Sequence, residues 1–454
     1  MKRLVFLVLA LTAGAVVAGG TAMTFTSDAP TSTTATPRPT YYGDVKPILD
    51  GRCTGCHFSG GIAPFPLQTY TQARRQSSLI AAAVRARHMP PWFADNRVRG
   101  YKHDLSLTNA QIATIRRWAA TGARPGNASR PGRPIPRVGP PAIRVDRQLA
   151  MPQPYTPSRQ GGRDDYRCFV LPWSPDAKTY LTGFDMRPGV ASQVHHIIVY
   201  LAHPRDAATL EHWERADATP GYSCYGGPSL SGNDGIGANF LAGWAPGSGG
   251  SVFPEGTGVE LQAGSRLIMQ VHYNLDSTRP VADRSVFDMQ LADSVERRGS
   301  YAPLVDPRWL ISPQTFRIPA GQKRIVNTVT LDPRPFLPFL GAQIDTSRGM
   351  TIHSVAHHMH LLGKRGEVAL VKASGARVPL LRINDWHFHW QREYQLAKPE
   401  AFDPGDALSI RCEHDNTRAN QPLVNGRRRV PRTIYWGEDS TDEMCIAFLY
   451  VVER

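Results

Sequence analysis

Beyond its first two dozen residues the chain has no long apolar run. The one stretch that qualifies, Leu4 to Ala18, is about 15 residues long, short of the roughly 20 that a membrane span needs. Lys2 and Arg3 precede it and Gly19, Gly20 and Ala22 come after it. That is the layout of an export signal over residues 1–22, so the expected product is soluble and exported, periplasmic or secreted. An uncleaved N-terminal anchor is the alternative, and the sole membrane contact expected. Acidic residues are also short, 38 against 52 Lys and Arg, for a net charge of +14. Such a balance raises nucleic acid as a partner, but the arginines are dispersed and no nucleic-acid motif accompanies them. Cysteine is scarce, six in 454 residues. Two lie in Cys53-Thr54-Gly55-Cys56-His57, leaving Cys168, Cys224, Cys412 and Cys445, enough for two disulfides in an oxidising compartment.

Composition divides the chain further. Residues 23–40 are rich in Thr, Pro, Ser and Ala, a tether that cannot bury a core. Residues 124–141 alternate Pro, Gly and Arg and read as a stiff, extended linker, long enough for the N-terminal block to approach and leave the C-terminal region. That block, residues 41–123, carries helical signals. Thr108 with Gln111 makes a capping box, Ile112, Ile115, Trp118 and Ala119 share a face, and Gly122 supplies a stop. After the linker the texture is β. The runs His196 to Leu201, Leu267 to Tyr273, Val368 to Val371 and Cys445 to Val452 are punctuated by Gly and Pro, as at Pro246-Gly247 and Pro404-Gly405. Two sandwiches, 142–303 and 304–454, suit that length.

Cys-x-x-Cys-His is the attachment signature of c-type haem, with Cys53 and Cys56 bonded to the vinyl groups and His57 on the iron. Met89, in Arg87-His88-Met89-Pro90-Pro91-Trp92, is the candidate sixth ligand, with His88 as competitor. Residues 42–126 resemble the c-type cytochrome domains of bacterial exported proteins.

Four histidine segments stand out in the β region: Val194-His195-His196, Gln270-Val271-His272-Tyr273, His357-His358-Met359-His360 and Trp386-His387-Phe388-His389-Trp390. Imidazoles on strands suit copper or zinc, and a thioether favours copper that visits Cu(I). Because residues i and i+2 share a strand face, His358 and His360 form a chelating pair. His357, Met359 and His353 point away from it, and Gln270 and His272 share a face. The adjacent His195 and His196 would diverge on a regular strand and can hold one metal only if it is kinked or ends there. In the fourth segment His387 and His389 share a face, but Trp386, Phe388 and Trp390 mark the other as a packed aromatic strand.

With these residues, the β region resembles the copper type II, ascorbate-dependent monooxygenases over about residues 165–454. The matching motifs run in order from His195-His196 through Gly243-Trp244-Ala245-Pro246-Gly247 and Gln270-Val271-His272-Tyr273. His358-Met359-His360-Leu361, Arg411-Cys412 and Asp442-Glu443-Met444-Cys445 come next. The resemblance implies two copper ions. His195, His196 and His272 would hold the one that stores an electron. His358, His360 and Met444 would hold the other, where O2 binds and a C–H bond is attacked. It implies two jelly-roll domains, so the whole is expected to be multidomain, a small all-α cytochrome c domain followed by two all-β jelly-roll sandwiches. It also implies a Cys412–Cys445 bridge behind Met444 on a shared strand, which leaves Cys168 with Cys224. The peptide-amidating members anchor a substrate carboxylate with an Arg, an Asn and a Tyr at positions that here are Ala356, Ile446 and Phe448. The expectation is therefore a copper- and haem-dependent monooxygenase acting on a small, weakly polar substrate. Its electrons would come from an external donor, a cytochrome, a quinol-linked reductase or an ascorbate-like reductant, through the haem. The competing expectation is an exported copper and haem electron carrier without oxygenase activity.

Overall fold

The computed structural model describes residues 38–60, 63–139, 141–158, 164–228, 238–245, 248–275, 279–338, 342–424 and 427–454. The export signal at 1–22, nearly all of the tether at 23–40 and the Pro246-Gly247 turn lie outside the described residues. Among those residues no helix is long and apolar enough to cross a membrane.

The chain begins helical. A turn at Tyr41–Val45 runs into Lys46–Arg52, then Tyr70–Arg75, Ser77–Arg85 and Asn109–Ala120 follow. Thr108 and Gln111 close a reciprocal capping box on the last of these, satisfying amides that the first turn leaves unpaired. Its apolar stripe, Ile112, Ile115 and Trp118, packs with Tyr41, Leu49 and Val84 in one small core. Each fully buried aliphatic chain contributes about 2 kcal/mol.

Two expected boundaries shift. The segment 92–105 leaves the helical block. Trp92, Ala94 and Tyr101 join the core of the second sandwich, with isolated bridges from Ala94 to Ile383 and from Tyr101 to Leu396. Arg99 caps that seam with an ion pair to Glu400 at 2.9 Å. Residues 124–141 are extended but are not a free linker, because Gly132 N donates to Tyr42 O and Val138 N to Gly51 O, and Ile135 packs on the helical core. Backbone donors of an extended segment need acceptors, and here the helical block provides them. The segment expected to be a free linker is therefore packed along the helical block.

The remainder is two β-sandwiches. The first sets a sheet ordered Tyr222–Ser223, Asp164–Val170, Arg266–Asn274, Val194–Ala202 and Ala238–Trp244 against Arg147–Ala150, Val286–Ala292, Thr179–Arg187 and Thr257–Leu261. The second sets Met350–His358 and its neighbours against Ile325–Leu331, Ala407–His414, Gly363–Val371 and Arg377–Ile383. The division expected near residue 303 falls inside a strand, Arg297–Leu304. That strand runs parallel to Thr257–Leu261 at two positions and pairs antiparallel with Ile446–Glu453 along its length from Gly299 to Leu304. One nine-stranded sheet therefore belongs to both sandwiches. Tyr301 and Tyr450 from this seam sit in the first sandwich's core.

Candidate functional site

Val194–Ala202 pairs with Arg266–Asn274 so that His196 lies opposite His272, and the register shifts between Val194 and His196. His195 is the extra residue of that bulge. A bulge re-aims one side chain, and this one turns both adjacent imidazoles to the same side. The ligand atoms of His195, His196 and His272 all fall within 4.8 Å of one another. His196 Nδ1 is 3.4 Å from His195 Nδ1 and 3.3 Å from His272 Nδ1.

The tautomer of His272 is set by its other nitrogen. Nε2 lies 3.0 Å from Asp164 Oδ1, and an ionised carboxylate only accepts, so Nε2 carries the proton and Nδ1 presents a lone pair to the cluster. Asp164 also accepts from Asn274 Nδ2 at 3.0 Å and from Ser440 Oγ at 2.8 Å. Burial alone would raise the Asp164 carboxyl, but the bonds from His272, Ser440 and Asn274 outweigh it and hold the group at about 2. Tyr166 stacks flat on the His272 ring at 4.1 Å. Burial and then the neighbouring imidazoles push His195 and His196 well below the ordinary histidine range, so both rings are neutral lone-pair donors. Converging imidazoles with a carboxylate behind one of them fit a copper or zinc ion.

His358 ends its strand and His360 follows two residues on, beyond the strand's last ladder bond. Gln391 Nε2 donates to Phe388 O at 2.8 Å, which orients the amide so that its oxygen faces His358 Nδ1 at 2.5 Å. His360 Nδ1 lies 3.3 Å from the Asp442 carbonyl. Both Nδ1 atoms are thus donors, leaving each Nε2 with a free lone pair. The two rings are 5.0 Å apart and nearly perpendicular. Glu443, fully buried, accepts from His360 N at 2.8 Å and from Leu362 N at 2.5 Å, with His414 Nε2 3.3 Å away. Its carboxylate therefore ties the His360 turn to the segment that carries Met444. A side chain on Gly363 would collide with Trp386 at 2.6 Å, and that tryptophan's Nε1 donates to His360 O at 3.0 Å. Met444 and Cys445 stand just before the strand Ile446–Glu453, not on it as the sequence pattern suggested. Cys445 bonds Cys412 and Cys168 bonds Cys224. Met444 with two imidazoles fits an ion that spends time as Cu(I).

His195, His196, His272, His358, His360 and Met444 all line one cavity of about 620 Å³. Phe388 stands between the two sets, stacked on His195 at 4.5 Å and edge-on to His360 at 5.9 Å. Its segment is not the aromatic strand that its alternation suggested but a turn, in which Trp390 N bonds His387 O. Ala356, Ile446 and Phe448 line the same cavity, and Phe448 stacks on Phe240 at 4.6 Å.

In the helical block Cys53 is half-buried and Cys56 exposed, and the two thiols are not joined. His57 Nδ1 bonds the Phe65 carbonyl at 2.9 Å, so its Nε2 is the lone-pair nitrogen. Met89 is half-buried and His88 exposed, both in the segment after Ser77–Arg85. The helical block thus holds two free thiols three residues apart beside an imidazole oriented by a backbone carbonyl.

Residues 341–454 match the family model described as copper type II ascorbate-dependent monooxygenase, C-terminal domain. Among curated proteins, the chain is 23% identical over 299 residues to a tyramine beta-hydroxylase of Caenorhabditis briggsae, covering 63% of this chain and 45% of that protein. It is 22% identical over 216 residues to MOXD1 homolog 1 of Drosophila melanogaster, covering 46% of this chain and 28% of that protein. The chain thus spans less than half the length of these relatives. Among solved structures, the major capsid protein P2 of bacteriophage PM2 aligns with a TM-score of 0.24 at 7% identity, over 67% of this chain and 96% of that one. The family match covers the segment that carries His358, His360 and Met444.

Proposed function

We propose that this chain is an exported copper-dependent monooxygenase. It hydroxylates a C–H bond of a small, weakly polar substrate with O2 and takes its electrons through haem c carried by the helical block. The observation that carries this reading is the single cavity onto which both ligand sets open. Copper at the two sites would supply one-electron storage and O2 activation. For each hydroxylation, one oxygen atom enters the substrate and the other leaves as water, with two protons and two electrons taken up from outside.

The chain's own residues do the positioning. Asp164 fixes His272, Gln391 fixes His358, and Glu443 holds the His360 turn against Met444. Ala356, Ile446 and Phe448 give the cavity an apolar wall near Met444, where an unpaired substrate carboxylate would be costly. Phe93, four residues after Met89, stacks on His387 at 5.9 Å. His387 stands 5.8 Å from His389, and Phe388, between them, touches His195. The segment that follows Met89 and leaves the helical block thereby reaches the three-histidine site through packed rings, which supports electron entry from that side. Two disulfides suit export to an oxidising compartment.

The test is oxygen uptake by protein matured in the periplasm, loaded with copper and supplied with ascorbate and a panel of small aromatic and aliphatic substrates. Uptake should depend on substrate and vanish in His358→Ala. An electron carrier would show no substrate-dependent uptake, and that result would overturn the reading.

A further inference from the structure

Arg392 lines the cavity, yet among the described residues its Nε and Nη1 are buried without a hydrogen-bond partner. Its guanidinium lies over the Trp92 ring, 5.1 Å from the centroid, which offers a face but accepts none of the N–H bonds in their own plane. Nearby carboxylates are engaged elsewhere. Asp104 accepts from Asn96 Nδ2 at 2.7 Å and Ser106 N at 2.7 Å. Glu393, next in the chain, accepts from Tyr301 at 3.0 Å and from Ser354. Burial is the largest influence on Arg392 and disfavours its charge, but an arginine stays protonated in proteins. Lys102 and His103 line the same cavity, and both Lys102 and Arg392 act on His103, so positive groups gather at this corner. A buried cation with unmet donors is costly unless an anion completes it.

We propose that Arg392, with Lys102 and His103 beside it, is a carboxylate-binding site in the wall of the cavity. The planar fork of a guanidinium matches a carboxylate, and Trp92 gives an adjoining apolar or aromatic body a surface to lie on. Arg392 adjoins Glu393, the strand partner of Ala356, and Ala356 pairs in turn with Phe448, so a substrate held by its carboxylate at Arg392 would lay its apolar body along that wall of the cavity. The same chemistry has a second source. Cys56 lies within electrostatic range of Arg392, so a haem attached there would lie on this side of the molecule, and its propionates, on the edge opposite the thioether bonds, would be the second candidate occupant. This second source rests on the proposed haem attachment, whereas the site itself stands on the cavity.

The two sources separate in one experiment on the full chain, with and without haem maturation. The probe is 3-phenylpropionate against its neutral amide, with binding followed by calorimetry and Trp fluorescence. A free carboxylate ligand should bind the haem-loaded protein and bind at least about tenfold more weakly to Arg392→Gln, with partial recovery in Arg392→Lys. A propionate occupant should instead block the probe in haem-loaded protein while the haem-free chain still binds it. The haem midpoint potential should then fall in Arg392→Gln and return in Arg392→Lys. Either pattern supports the site. Equal binding of acid and amide, unaffected by Arg392→Gln, together with an unmoved haem potential, would overturn it. Failure to mature haem would count against the haem reading alone, because the haem-free arm still reports on the site.

Discussion

The His195 imidazole lies against the Phe388 ring, centroids 4.5 Å apart and 21° from parallel. Phe388 is buried, 7% exposed, and also meets His360 edge-on, so one phenyl ring touches a histidine of each proposed copper site. Removing it should disturb both at once. Phe388→Ala should cost about 3 kcal/mol, the low end for a buried aromatic because one side faces the cavity. Phe388→Leu should cost less than half of that. Urea unfolding gives the stability, and the Cu(II) EPR spectrum gives the three-histidine geometry. An unchanged spectrum in Phe388→Ala would show that the ring does not brace His195.

Asp164 acts on the same cluster from the opposite side. Its carboxyl is held below the ordinary value, so its stabilising contribution is complete above pH about 4. That contribution fades only as pH falls toward about 2, where the folded group takes up its proton. Across the working range it is a fixed negative charge behind His272. Asp164→Asn should weaken copper binding at the three-histidine site by about 10- to 100-fold, measured by competition with a chelator. Asp164→Glu should recover part of that loss. Wild-type affinity in Asp164→Asn would remove the carboxylate from the account.

Much of this arrangement was legible in the chain's pattern alone. The alternation around His196, His272 and His358 named the strands, because a half-buried sheet needs period two. The Thr108–Gln111 capping box named the helix that carries Trp118. What escaped depends on partners distant in sequence. The bulge at His195 is a property of two strands in register, and Asp164 meets His272 across a separation of 108 residues. Glu443 is the immediate neighbour of Met444 in the sequence, yet its role in holding the His360 turn is visible only once both segments meet. Residues 92–105 sit among helical signals but are drawn to the second sandwich by Trp92 and Tyr101, whose burial a local pattern cannot assign. Phe388 misled because a turn and a strand can share the same three alternating aromatics.

Glu438 gives a pH dependence with a definite sign. It lines the cavity, and burial, then Asp439 and Asp442, raise its carboxyl from 4.5 to about 7. Below pH 4.5 folded and unfolded chains are both protonated there, so no penalty exists. As pH rises through about 7 the folded chain must carry a disfavoured charge and loses stability, on the order of 2 kcal/mol. In EDTA-treated protein, Glu438→Gln should melt with the wild type at pH 4 and above it at pH 8. Parallel melting temperatures at both values would mean that solvent in the cavity already relieves the charge.

The central claim, that one cavity is built for two chemically different copper ions, is tested most directly by copper content with X-ray absorption of the reduced protein. Wild type should hold two coppers per chain and show a copper–sulfur shell. His272→Ala should retain about one copper together with that shell, whereas Met444→Ala should lose the shell while the three-histidine copper stays. Wild-type protein that takes up no copper, or a sulfur shell that survives in Met444→Ala, would contradict the account.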